Sequence, residues 1–230
     1  MENFVLQSIQ KLIDKNLYRK EKSIMERKEI SKAVLRRLPG YLAFLKGLDV
    51  QNISATAIAT ALNMGEVQVR KDLAAVSDGG RPKIGYERVG LMEDIRRFLG
   101  YDNTTDAILI GAGKLGQALL GYSGFDAYGL NILAAFDTAP VVSDTEGRPI
   151  LPVSAMESFC KTHNVLMGII TVPAEAAQQA CDMLISCGIK AIWNFAPVHL
   201  EVPANILVQN ENMATSLAVL SMHLQAQIKK

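Results

Sequence analysis

The sequence predicts an α/β chain of two domains, an N-terminal winged helix-turn-helix unit followed by a Rossmann-like parallel sheet. Three observations predict it. Two short amphipathic segments flank the tripeptide Asn63-Met64-Gly65, and a glycine-rich turn with cations follows them. Beyond residue 106, short apolar runs alternate with helical patterns, the rhythm of a sheet covered on both faces. The first of those runs enters Gly111-Ala112-Gly113-Lys114-Leu115-Gly116 directly.

Bulk properties set the frame. The chain has 230 residues, 49% hydrophobic and 20% charged, which is ordinary globular composition. No apolar run approaches the ~18 residues of a membrane span. The N-terminus, with Lys11, Asp14 and Lys15, lacks a signal-peptide layout, so a cytoplasmic protein without membrane partners is expected. Cys160, Cys181 and Cys187 have no metal-ligand spacing and read as reduced thiols packed as small hydrophobes; no metal is expected. The net charge of +1 conceals a division. Through Gly100 there are 18 Lys and Arg against 12 Asp and Glu, an excess of six; the remainder has 6 against 11, a deficit of five. That is the balance of a nucleic-acid binder with a separate ligand domain, although charge alone leaves an inconsequential asymmetry equally open.

The elements follow in order. Phe4, Val5, Ile9, Leu12 and Ile13 predict a short helix over 2–14, and a charged, solvated stretch follows over 15–28. Ser31 stands before a segment carrying Val34, Leu35, Leu38, Tyr41, Leu42 and Leu45 on one face, with Pro39 expected to kink or divide it. Ser54 is an N-cap for a helix with the stripe Ala57, Ile58, Ala61 and Leu62. The second helix of the pair covers 66–76, with Val67, Leu73 and Val76 inward and Gln68, Arg70 and Lys71 outward. Residues 78–86 read as a wing with Arg81 and Lys83 near its tip. A helix over 91–99 ends at Gly100, a natural C′ residue, and the polar 102–106 makes the domain boundary. Strands are expected at 107–110, 132–136, 165–171, 191–194 and 206–208. Helices are expected at 115–121, 155–163, 174–187 and 214–229.

The glycine loop carries the chemistry. Gly111 permits the tight turn, Gly113 lets the backbone approach a pyrophosphate, and Gly116 allows close helix-on-strand packing. Asp137, 24 residues beyond Gly113, ends the second strand of the sheet, where a carboxylate accepts from both ribose hydroxyls and repels a 2′-phosphate. The expected cofactor is NAD(H) rather than NADP(H); a structural glycine turn without nucleotide is the plainer alternative. Thr171-Val172-Pro173 and Asn194-Phe195-Ala196-Pro197 follow later strands, so Thr171, Val172, Pro173, Asn194, Ala196 and Pro197 are expected to border the nicotinamide side. Of the three histidines only His199 lies near a strand end, and it has no partner for acid–base work. A nucleotide fold without catalytic residues reads as a sensor, not an enzyme.

The chain resembles the redox-sensing repressor family Rex. The residues that carry the resemblance are Ile30-Ser31, Arg37-Leu38-Pro39-Gly40-Tyr41, Ile53-Ser54, Val69-Arg70-Lys71-Asp72-Leu73 and Ile84-Gly85-Tyr86 in the first half. In the second they are the glycine loop, Gln117-Ala118-Leu119, Tyr122-Ser123-Gly124-Phe125, Phe136-Asp137, Thr171-Val172-Pro173, Gly188-Ile189-Lys190-Ala191-Ile192, Asn194-Phe195-Ala196-Pro197-Val198 and Val202-Pro203. The resemblance implies a homodimer on a palindromic double-stranded DNA operator, with NADH disfavouring and NAD+ permitting DNA binding. It implies DNA contacts from Arg70 and Lys71 in the recognition helix, where outward Gln68 is also expected to reach DNA, and from Arg81 and Lys83 in the wing; a solvated surface charge is the plain alternative for each cation. It also implies that the last helix is swapped onto the partner subunit. The expected domains are thus an extension over 1–29, a winged helix over 30–100, a Rossmann domain over 101–212 and a dimerisation helix over 213–230.

The chain departs from the family at its switch. There an aromatic residue before the last helix covers the nicotinamide, and a neighbouring aspartate reaches either a tyrosine or an arginine of the DNA-binding domain. The tyrosine is present as Tyr122, but the aromatic aligns with Met213, the aspartate with Asn212 and the arginine with Ala43. Weaker discrimination between NAD+ and NADH is the expectation, with a paralogue that has lost the redox response as the alternative reading. A dehydrogenase or a CoA-binding protein is the remote one.

Overall fold

The computed structural model describes residues 31–140 and 147–228. The helix expected over 2–14 and the charged stretch after it lie outside the described residues. The chain divides into two compact units at Leu99/Gly100, and each stands on its own core.

In the first unit, α1 (Lys32–Lys46) runs without interruption through Pro39. Proline removes one backbone bond, but Leu38, Tyr41, Leu42 and Leu45 are buried on both sides of it, and their packing holds the helix together. Ser31 sits at the N-cap position without a side-chain cap bond. β1 (Asn52–Ile53) leads into α2 (Ala55–Ala61), whose Ser54 cap accepts from the Ala57 N–H at 3.0 Å. The inward residues of α2 are Ala55, Ile58 and Ala59; Ala57 and Ala61, expected inside, are exposed. α3 (Glu66–Val76) has the expected bounds but a different inner face. Val69, Asp72 and Leu73 are buried, whereas Val67, expected inside, is 68% exposed and Val76 half-buried. The i, i+3, i+4 spacing of 69, 72 and 73 is the helical stripe, and Asp72 hides it from a purely apolar pattern. β2 (Tyr86–Glu87) pairs antiparallel with β1, and α4 (Arg88–Leu99) packs back on α1. Gly100 takes φ +76°, as a C′ glycine should.

The second unit is a six-stranded, all-parallel sheet. Its strands are β3 (Thr105–Ile110), β4 (Leu130–Asp137), β5 (Ile150–Pro152), β6 (Met167–Ile170), β7 (Ala191–Asn194) and β8 (Leu207–Asn210), in the order β5-β4-β3-β6-β7-β8. That is the doubly wound order, and its switch point lies between β3 and β6. The helices are α5 (Lys114–Leu120), α6 (Met156–His163), α7 (Ala174–Ser186) and α8 (Met213–Ile228). Along β3 the side chains alternate, Ile108 and Ile110 into one core and Ala107 and Leu109 into the other. In β4 a register shift at Leu133 breaks the alternation, so Ile132 and Ala135 share a face. The short strand β5 and a 3-10 turn over Ser123–Tyr128 were not expected from the sequence. Cys160 and Cys181 are buried in the core with α7 and β6, and burial pushes their thiols up, Cys160 to about 11. No helix among the described residues is long and apolar enough to cross a membrane.

Candidate functional site

The glycine loop leaves β3 at the switch point. The Gly111 N–H donates to the Phe136 carbonyl at 2.8 Å, and Gly111 takes φ +99°. A Cβ there would lie 2.8 Å from Val172 Cγ1 and 2.9 Å from the Thr171 carbonyl carbon, so only glycine lets the two loops touch. A Cβ on Gly116 would stand 1.9 Å from the Gly111 carbonyl oxygen, which keeps α5 tight on the turn. Gly113 is different. Nothing lies within 4 Å of its missing Cβ, so its bareness serves no packing and leaves a surface on which a ligand can rest against backbone. Lys114 and Leu115 open α5 beside it, Lys114 exposed and Leu115 half-buried.

Asp137 closes the other side. Its Oδ2 accepts from the Ala112 N–H at 2.7 Å and its Oδ1 from the Ala139 N–H at 2.9 Å. The carboxylate is therefore fixed beside the loop with acceptor capacity left for a diol, while the Ala112 N–H is already occupied. On the β6 side, Thr171 Oγ1 donates to the Gly111 carbonyl at 2.7 Å, with Ile110 O at 3.1 Å, and stitches the strand end to the loop. Pro173 occupies the N-cap position of α7 and is exposed. Asn194 is fully buried, and its amide is consumed internally. Nδ2 donates to Ala196 O, Val198 O and Asn210 Oδ1 at 3.2, 3.0 and 2.9 Å, and Oδ1 accepts from the Ala196 N–H at 3.0 Å. Its side chain shapes the turn at Ala196 and exposed Pro197.

Sequence reasoning missed an aromatic ladder next to this rim. Tyr122, Phe125, Trp193 and Phe195 follow one another at centroid distances of 4.9, 5.8 and 4.8 Å, and Trp193 Nε1 donates to Glu211 at 2.9 Å. Tyr122, at its end, is half exposed. Asn212 Oδ1 accepts from the Thr215 N–H at 3.1 Å and caps α8, and Met213 opens that helix exposed to solvent.

In the first unit, Arg70, Arg81 and Lys83 come together around a groove of about 530 Å³ that also takes in Ser54 and Thr56 at the start of α2. The wing is closed by reciprocal backbone bonds between Arg81 and Gly85, at 2.8 and 2.9 Å. Lys83 sits at the hairpin tip with φ +67°. Gln68 and Lys71 do not share this groove; they line a neighbouring one with Val34, Gly65 and Val67. Arg70 is paired with Glu66 along the helix. Along the α1 side of that second groove lies a cluster that the sequence did not suggest. Arg37 donates to Asp72 from Nε at 2.7 Å and from Nη2 at 2.9 Å, and the Tyr41 hydroxyl donates to the same carboxylate at 2.7 Å. With its amide oxygen turned inward, Gln68 also accepts from Arg37, at 2.9 Å. Burial, followed by the bond to Asp72, pushes the Tyr41 phenol up to about 12. Asp72 stands at helical spacing from Val69 and beside Leu73, but nothing in the sequence marks an acid there as buried. Among the described residues no group of three or more His, Cys, Asp or Glu side chains is gathered as metal ligands.

Comparison with known proteins matches both units. Residues 102–198 match the family described as CoA binding domain, and residues 29–74 the family "Putative DNA-binding protein N-terminus". The redox-sensing transcriptional repressor Rex of Porphyromonas gingivalis is 40% identical over 205 residues, 87% of this chain and 94% of that protein. Its counterpart from Clostridioides difficile is 37% identical over 199 residues, 84% of this chain and 95% of that protein. Among solved structures, RSP in complex with beta-NAD+ and operator DNA superposes with TM-score 0.81 at 33% identity, covering 87% of this chain and 94% of that one. RSP, a Rex-family repressor, in complex with beta-NADH gives TM-score 0.79 at 33% identity, covering 87% and 96%.

Proposed function

The chain belongs to the Rex family of redox-sensing transcriptional repressors, and from that premise we propose that it is a homodimeric, operator-binding repressor whose DNA affinity follows the NADH/NAD+ ratio. The observation that carries the proposal is the pairing of Gly113, bare on its outer side, with an anchored but unsaturated Asp137 at the end of the neighbouring strand β4. Residues of this kind fit a dinucleotide. The pyrophosphate rests against 113–116, and the Asp137 carboxylate accepts from the ribose diol. Thr171, Val172, Pro173, Ala196 and Pro197 border the nicotinamide end. A CoA occupant, suggested by the family description of residues 102–198, is less well served, because Asp137 repels a phosphorylated ribose.

DNA contact is assigned to Gln68, Arg70 and Lys71 of α3 and to Arg81 and Lys83 of the wing. The domains are an extension over 1–29, a winged helix over 30–100, a Rossmann domain over 101–212 and a dimerisation helix over 213–230, swapped onto the partner. Support for dimerisation comes from α8, which has no Asp, Glu, Lys or Arg and buries none of its side chains within its own chain. The protein works in the cytoplasm as a regulator rather than a catalyst. The relatives favour a redox-responsive protein over one that has lost its response, and Ala43, Asn212 and Met213 then set how large the response is.

The test is operator binding by fluorescence anisotropy at fixed salt, titrated separately with NAD+ and NADH. Release by NADH at concentrations where NAD+ leaves the complex intact is expected. Failure to bind duplex DNA, or turnover of a hydroxy acid or aldehyde with NAD, overturns the reading. Because phosphate contacts dominate such affinities, the logarithm of affinity should fall linearly with the logarithm of salt.

A further inference from the structure

We infer that Val67 reads the C5-methyl group of a thymine in the major groove, which makes it a specificity-determining residue of the DNA-binding surface. The inference rests on the operator-binding reading above. In a helix-turn-helix, the first turn of the second helix faces base edges, and Val67 is the second residue of α3. At 100° per residue it stands about 200° around the helix from buried Val69, which turns it away from the core. It is 68% exposed on a face it shares with Gln68, Arg70, Lys71 and Ala74.

A β-branched apolar residue there adds nothing to the core and is a weak helix former on a solvated face. Half-buried Val34 and exposed Gly65 extend the patch, Gln68 and the Lys71 cation rim it, and Arg37, held by Asp72, closes it on the α1 side. Apolar ground inside a cationic rim is complementary to a base edge flanked by phosphates. On that edge the thymine methyl is the one apolar group among the four bases. The stiff valine side chain offers two methyls in a fixed position, so contact costs little ordering.

The test uses the full chain and a duplex it selects from a random pool. Each thymine is replaced in turn by deoxyuridine, which removes only the C5-methyl. One symmetric pair of positions should stand out, with affinity falling about fourfold for one site and about fifteenfold for both. In Val67→Ser the thymine-to-deoxyuridine difference at that pair should shrink to less than about twofold, with the salt slope unchanged. Val67→Ser is expected to fold, since the side chain is exposed, and its melting curve checks this. If the protein binds its duplex but no thymine shows a penalty that depends on residue 67, the inference fails while the operator reading stands. If no duplex is selected, both fail.

Discussion

Arg37 of α1 grips Asp72 of α3 through two parallel hydrogen bonds, Nε to Oδ2 at 2.7 Å and Nη2 to Oδ1 at 2.9 Å. The Asp72 side chain is only 4% exposed and Arg37 23%, so the pair ties the recognition helix to the first helix. Removing one partner leaves the other inadequately paired. Asp72→Asn should destabilise the protein by about 2–3 kcal/mol, discounted from the fully buried case because Arg37 reaches solvent. Urea unfolding measures this. A loss below about 0.5 kcal/mol would show that the pair is worth no more than a surface contact.

The third member of that cluster gives a pH dependence. Tyr41 has its phenol pushed up to about 12 by burial and then by the bond to Asp72, against an ordinary value of 10. Below pH 10 the proton is held in both folded and unfolded chains, and the stabilisation is fully present. Between 10 and 12 the unfolded chain has released its proton and the folded one has not, so stability falls as pH rises. Thermal melts from pH 8 to 12 should therefore decline more steeply above 10 in the parent protein than in Tyr41→Phe. Parallel declines would remove Tyr41 as the cause.

The glycines of the loop separate binding from folding. Gly113 is in extended backbone with open space where a Cβ would stand, so Gly113→Ala should leave the melting temperature nearly unchanged. Its methyl would occupy the ground proposed for the pyrophosphate, and NADH affinity should fall tenfold or more, on the order of 1.4 kcal/mol. Gly116→Ala would place a methyl 1.9 Å from the Gly111 carbonyl oxygen and should cost about 3 kcal/mol of stability. NADH fluorescence titration and calorimetry of the two variants check the contrast. Equal NADH binding by Gly113→Ala and the parent would remove the loop from the binding site.

Helix α8 supplies the prediction for assembly. Leu217, Val219, Leu220, Met222, Leu224 and Ile228 are between 47% and 74% exposed within one chain. A 16-residue helix without packing is marginal in water, and an apolar surface of this extent marks an interface. Leu220→Glu should convert the dimer to monomer in light scattering and weaken operator binding with it. A monomeric parent protein, or a dimer untouched by Leu220→Glu, would exclude the dimer role of α8.

The glycine loop was legible in the sequence because its demands are local. Gly111, Gly113 and Gly116 answer to one turn and one helix, and Asp137 to the end of the neighbouring strand. Asp72 was not legible, because its partner Arg37 is 35 residues away and pairing across that distance leaves no periodic trace. The same gap explains Val67. An acid at 72 masks the stripe of 69, 72 and 73, and the apolar chemistry of Val67 by itself points inward. β5 escaped because a three-residue edge strand ending in Pro152 has no room for alternation. Asn194 was identified by position, yet its amide serves the turn, a distinction that only its four internal hydrogen bonds reveal.

The amplitude of the redox response is open to engineering at two positions. A cofactor shifts the protein only through contacts that differ between its two states, and a charge pair that exists in one state alone is such a contact. Asn212 caps α8 through Oδ1, and an aspartate keeps that acceptor while adding charge, so Asn212→Asp should leave the helix intact. Ala43 is exposed, so Ala43→Arg fits without repacking. Each change alone creates an unpartnered charge and should leave the ratio of operator affinities with NAD+ and NADH near the parent value. Together they should widen it about tenfold, a coupling on the order of 1.4 kcal/mol that neither single variant shows. Anisotropy titrations of the four proteins complete the cycle. A double variant whose ratio equals the product of the single effects would show that these two positions are not coupled.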